Sequence, residues 1–225
     1  MGCSGAKEAA RATPPAPKLA ELPKQFVTVP KGSETIPKEP VPEPNAEPKL
    51  EPVVDSDMTR SSALKGVDCP AMVKQRQALV DVSYYSFDQR LHRGQILIDE
   101  DLANDVKAIF KEIEESRFPI AKVVPVCRYG WSDEASMAAD NSSGFNYRNI
   151  PESSRLSEHA YGRAIDLNPV ENPFMDPHKG KHRTYDPHVP GAITASSAPT
   201  RAFLRHGWHW GGFWRHAKDY QHFEK

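Results

Sequence analysis

Two histidines and two aspartates in the C-terminal third of the chain have the types and spacing of a hydrolytic metal site. They fall in SEHAYGRAID (157–166) and DYQHFE (219–224), with GWHWGGFW (207–214) between them. Zinc takes imidazole nitrogens and carboxylate oxygens, and a catalytic site combines three protein ligands with a water. His159 and Asp166 flank Gly162, where the chain can turn. In a strand through 162–167, Ala164 and Asp166 share one face while Ile165 and Leu167 share the other. An aspartate in so apolar a strand needs compensation, and a metal supplies it. His222 falls on a last strand, 220–224, on one face with Tyr220 and Glu224. Asp219 lies just ahead of it, able to approach a water without being a ligand. Two His and one Asp on a metal, with a second carboxylate alongside, suffice for metal-assisted hydrolysis.

Elements must bring these stretches together. VDVSYYSF (80–87) alternates Val80, Val82 and Tyr84 and predicts a strand; GQILID (94–99) predicts its partner, after a turn near 88–93. Over 99–117 the period changes: Leu102, Val106, Ile109, Phe110 and Ile113 line one face of an amphipathic helix. Acidic residues open it and Arg117-Phe118-Pro119 closes it. A further strand is expected over 120–126. Residues 132–150 read as polar and irregular, with a short helix over 133–139. Residues 198–206 read as a helix started by Pro199 and stopped by Gly207, and 168–195 as a loop rich in proline and histidine. The expected fold class is α+β: a small antiparallel sheet bearing the zinc site, with helices packed on one side.

Composition adds a division of the chain. Of 225 residues, 21 are proline, and the first 52 residues hold more than half of them. Eight of the nine histidines stand at or after His159. Residues 1–63 therefore read as a disordered, semi-stiff proline-rich tether, and 64–225 as one folded domain. A formal charge of −1 argues against a nucleic-acid partner. No apolar run is long enough to span a membrane, and no intact signal peptide is expected.

The body resembles the zinc D-alanyl-D-alanine carboxypeptidase and L-alanyl-D-glutamate endopeptidase family of cell-wall peptidases. The family pattern S-x-H-x-x-G-x-A-x-D, followed late by D/E-x-x-H, is matched by Ser157, His159, Gly162, Ala164 and Asp166, then by Asp219 and His222. The resemblance extends over 64–225, including DEASM (133–137) and SSGFNYR (142–148). It implies one Zn2+ held by His159, Asp166 and His222, with Asp219 as the base that activates water. It also implies an arginine that grips a carboxylate or carbonyl of the substrate, for which Arg128 and Arg148 are the candidates. Ser157 and Ser136 are further possible contacts, Ser157 alternatively stabilising a turn. The implied partners are peptidoglycan peptides. The rival expectation is a non-catalytic, zinc-containing wall-binding module, against which Asp219 argues.

The opening Met1-Gly2-Cys3-Ser4 resembles the end of a bacterial lipoprotein signal, with Cys3 as the lipidated residue. Gly2 myristoylation competes, but that pattern wants Ser or Thr where Ala6 stands. The expectation is a monomeric, periplasmic domain that touches a membrane only through that lipid. Cys69 and Cys127 are then left as a disulfide or as two buried thiols. Trp208, Trp210 and Trp214 are expected to seal the core, one of them lining a substrate groove. His178, His182 and His188 read as solvated loop residues, with a second metal site as the alternative.

Overall fold

The computed structural model describes residues 51–178 and 184–225. The tether up to residue 50, with Cys3, and His182 lie outside the described residues. In chain order the elements are β1 (Val53–Val54), α1 (Arg60–Ala63), α2 (Ala71–Arg76), β2 (Gln77–Tyr85), β3 (Leu91–Asp99), α3 (Ala103–Ser116), β4 (Lys122–Val123), α4 (Asp133–Ala138), β5 (Asn141–Ser142), β6 (Ala164–Asp166), β7 (Phe174–Met175), α5 (Ala198–Arg205), β8 (His209–Trp210), β9 (Lys218–Asp219) and β10 (His222–Glu224). Short 3-10 turns include Glu158–Tyr161, directly before β6. The fold is α+β, built on several small sheets rather than one.

The long hairpin β2–β3 is antiparallel, with Val80 opposite Ile96, Val82 opposite Gly94 and Tyr84 opposite His92. Its alternation puts Val80, Val82, Tyr84, Ile96 and Ile98 into the main core, against the Val106, Ile109, Phe110 and Ile113 face of α3. Helix α3 also packs on α5, which contributes Ala202 and Phe203. Arg117 ends α3 in the left-handed conformation, φ 55°, two residues before Pro119, as the chain's breaker signal requires.

The hairpin's other face carries Leu97, which packs with Ala63, Leu64 and Phe145 in a second cluster. Residues 51–63, assigned to the tether from their composition, are therefore part of the folded unit. β1 pairs parallel to β3, Val53 opposite His92. Polar contacts hold the segment: Tyr84 Oη donates to Asp55 Oδ2, Ser56 Oγ donates to Gln95 Oε1 at 2.8 Å, and Met58 N to the same oxygen at 2.6 Å. Such anchoring leaves no trace in hydrophobic periodicity.

The second three-stranded sheet has the order β6-β10-β8 and is antiparallel. His222 stands opposite Asp166, Phe223 opposite Ile165 and opposite Trp210. Ile165, Leu167, Phe223 and Trp210 face the core, and Phe203 stacks on Phe223 with ring centres 4.0 Å apart. Period-two alternation then turns Asp166 and His222 to the opposite face.

The strand expected over 120–126 is two residues long. Pro125 offers no N–H to a ladder, and the chain passes instead into a 3-10 turn over Val126–Tyr129. Within 132–150 the expected short helix forms as α4, while β5, which was not expected, pairs parallel with β4. Ser143 exchanges backbone hydrogen bonds with Asp166 at 3.0 and 2.9 Å, and Phe145 N donates to Leu97 O at 2.8 Å. This segment thus ties the two sheets together. Gly144 makes the approach possible: a Cβ there would lie 2.3 Å from Leu97 O. Cys69 and Cys127 are half-buried free thiols; burial raises the pKa of each.

Candidate metal centre

Asp166 and His222 reach the site from paired strands, and His159 from the 3-10 turn that precedes β6. Ser157 caps that turn, its Oγ accepting from His159 N at 3.3 Å; it occupies the turn-stabilising role. Gly162 ends the turn at φ 71°, where a Cβ would lie 2.2 Å from Gln77 Oε1 and 2.6 Å from Asp99 N. Only glycine combines that conformation with that closeness.

All three side chains are buried. His159 Nε2 lies 3.2 Å from His222 Nδ1 and 3.2 Å from Asp166 Oδ2, and His222 Nδ1 lies 2.9 Å from Asp166 Oδ1. The outward nitrogens have partners of their own. His159 Nδ1 donates to Gly144 O at 2.6 Å, and His222 Nε2 to Glu224 Oε2 at 3.1 Å. Each such bond fixes the outer nitrogen as a donor and turns the inner nitrogen toward Asp166, as in histidines that ligate metals.

Those donors suit a cation. Two imidazole lone pairs and a buried carboxylate at one point require a positive charge to share. Burial pulls the His222 imidazolium down, yet its hydrogen bonds to Asp166 and Glu224 outweigh that and raise its pKa to about 10. Burial likewise works against the Asp166 charge, but His159 and His222 hold its carboxyl well below the usual range. A tetrahedral zinc with ligands at about 2.0–2.1 Å sets neighbouring donors about 3.3–3.4 Å apart, close to the separations here. Among the described residues, His159, Asp166 and His222 form a group of this kind, their ligand atoms all within 4.8 Å of one another.

Asp219 lies alongside on β9. Burial first, and the Asp166 charge second, push its pKa up to about 7, while His222, His159 and Arg148 pull it back. Its Oδ1 is buried without a hydrogen-bond partner among the described residues. A buried acceptor left open next to a cation site is free for a water or substrate proton. Gly211 lets β9 come close, since a Cβ there would lie 2.6 Å from Asp219 O.

The arginines part company. Arg148 is half-buried, acts electrostatically on Asp219, and has Nε 2.9 Å from Asp133 Oδ1. That N–H is not aimed at the oxygen, so Nε stays unsatisfied despite the ion-pair distance. Arg128 is exposed on the Val126–Tyr129 turn. Ser136 is buried and accepts from Asn141 Nδ2 at 2.9 Å, a structural position. Trp208 and Trp210 are buried in the core. Trp214 lies beside the cluster, its ring centre 5.5 Å from that of His222. His178 and His188 are exposed.

Residues 151–225 match the family described as D-alanyl-D-alanine carboxypeptidase. The matched stretch holds Ser157, His159, Asp166, Asp219 and His222, and stops short of both arginine candidates. The match supports a hydrolase of the peptidase kind for that stretch. Neither the curated proteins nor the solved structures contain a match to the chain.

Two residues of the centre escaped the sequence reading. Gly144 acts through its backbone carbonyl, which side-chain chemistry does not announce. Glu224 was placed on the His222 face by alternation, but its bond to Nε2 depends on the rotamers of both.

Proposed function

We propose that this chain is a zinc peptidase that hydrolyses peptidoglycan stem peptides. The observation that carries the reading is the convergence of His159, Asp166 and His222 on one point, with the open carboxylate oxygen of Asp219 beside them. A zinc ion held by the three would polarise a peptide carbonyl and lower the pKa of water to about 7.

The rest of the chemistry falls to side chains. Asp219, with its pKa near 7, takes a proton from the attacking water and returns it to the leaving amine. Arg148 offers a planar guanidinium to a substrate carboxylate or carbonyl, and its loose pairing with Asp133 leaves donors for that purpose. Arg128 is the remaining substrate contact implied by the resemblance, while Ser157 caps the turn that carries His159. Trp214 supplies a flat wall next to His222. The protein acts as a monomer in the periplasm, held to a membrane by lipid on Cys3, and the proline-rich tether carries the domain to the wall. Labelling with a radioactive fatty acid that disappears in Cys3→Ser tests the anchor; label retained in that variant contradicts it.

Incubation of the purified chain with defined muropeptides, read by mass spectrometry, tests the activity. Release of one terminal D-Ala identifies a carboxypeptidase; a cut between L-Ala and D-Glu identifies an endopeptidase. Muropeptides that are bound but remain intact would replace the proposal with a non-catalytic wall-binding module.

A further inference from the structure

Strand β9 has a second face. It pairs with β7 so that Phe174 stands opposite Asp219 and Met175 opposite Lys218. Cross-strand neighbours point the same way and successive residues point oppositely. Phe174 and Asp219 therefore share one side of the ladder, while Met175 and Lys218 share the other. On that other side lies a groove of about 450 Å3, lined by Met175, Tyr185, Arg215, His216, Lys218 and Tyr220 among others.

The groove is built and it is basic. Tyr185 and Tyr220 stack with ring centres 3.7 Å apart and planes 7° from parallel. Tyr185 Oη donates to Ile193 O at 2.7 Å, which holds the pair in place. Lys218 Nζ is braced by Trp214 O at 2.6 Å, which positions the charge without neutralising it. Arg215 is exposed, with no ion pair to a carboxylate among the described residues. Among the described residues the lining contains no acidic side chain, in a chain whose overall charge is −1. A concave surface with two fixed-charge cations and stacked rings fits a carboxylate-bearing peptide.

We propose that this groove is a subsite for the free carboxylate of the stem peptide's glutamate. The assignment rests on the peptidase reading above. Lys218 is held by Trp214 O, and the Trp214 ring centre lies 5.5 Å from that of His222, so the groove borders the candidate metal centre around Trp214 and a peptide passing that ring reaches both. Glutamate is the acidic residue next to one of the two bonds considered above and a short distance from the other.

The test uses the full chain loaded with zinc and two stem peptides, one with the glutamate carboxylate free and one with it amidated. Arg215→Gln raises KM about tenfold on the free acid, the worth of one charge-assisted hydrogen bond, with kcat unchanged and no effect on the amidated peptide. Equal losses on both peptides, or no loss on either, overturn the subsite. Calorimetry of both peptides with wild type and Arg215→Gln separates this from failure of the peptidase reading. If wild type cleaves neither peptide yet binds the free acid about tenfold tighter than the variant does, the groove stands and the catalytic reading falls. If binding ignores the carboxylate, the groove falls whatever the activity.

Discussion

Asp166 and His222 stand directly opposite one another across β6 and β10, with 2.9 Å between Oδ1 and Nδ1. One backbone register therefore aligns two of the three candidate ligands, because in-register antiparallel neighbours point to the same side. His159 is aligned separately, by a capped turn and by the Gly144 carbonyl.

Removing a ligand removes the metal. In wild type, zinc at 100 times its Kd adds about 2.7 kcal/mol of stability, a rise of about 5–10 °C in Tm. His159→Ala and Asp166→Asn show no such rise, and elemental analysis finds no zinc in them. Differential scanning calorimetry with and without zinc makes the comparison; a full shift in either variant contradicts the ligand assignment.

Asp219 separates binding from chemistry. Asp219→Asn keeps zinc and loses about 10²–10⁴-fold in kcat, the range for a positioned general base. Its pH signature in metal-free protein follows from the raised pKa. The folded state prefers the protonated carboxyl, so this group's stabilising contribution is complete below about 4 and is lost as pH rises through about 7. Asp219→Asn is then more stable than wild type at pH 8, and the advantage fades toward pH 4. Urea denaturation across that range reads it; an advantage independent of pH contradicts the assignment.

Glu224 acts through His222. Glu224→Ala frees Nε2 and lowers zinc affinity about 10–100-fold, as for other outer-shell partners, while the fold persists. Competition with a chromogenic chelator measures the affinity, and circular dichroism controls for the fold. An unchanged affinity would show that the Nε2 bond does not set the tautomer.

Gly144 couples fold to site. A methyl at position 144 meets Leu97 O, and the strain costs about 1–3 kcal/mol. It also displaces the carbonyl that holds His159, so Gly144→Ala weakens zinc binding in addition to stability. Stability lost with zinc affinity intact would show that His159 is oriented by other contacts.

The hairpin, α3, α5 and the grouping of His159, Asp166 and His222 were legible in the sequence because each is written in side-chain type and period. Val80, Val82 and Tyr84 alternate; Val106, Ile109, Phe110 and Ile113 repeat at helical spacing. What escaped is carried by backbone geometry or by polar contacts. Two-residue strands such as β4 and β5 are too short for a period. The anchoring of 51–63 rests on Asp55, Ser56 and Gln95, whose types suit a linker as well as a clasp. Truncation exposes the difference: a chain starting at 64 takes the Asp55 acceptor from the Tyr84 O–H and the Ser56 and Met58 donors from Gln95 Oε1, and loses about 1–3 kcal/mol for each buried group so exposed, whereas one starting at 51 does not.

The central claim is that one zinc ion, held by His159, Asp166 and His222, enables hydrolysis of a stem peptide. The most direct measurement is a reconstitution titration: remove metal with a chelator, add zinc back in known amounts, and follow cleavage of a defined muropeptide by mass spectrometry. The account predicts no cleavage without metal and activity that rises linearly to a plateau at one zinc per chain. Cleavage that survives complete metal removal, or no cleavage at one bound zinc per chain, would contradict it.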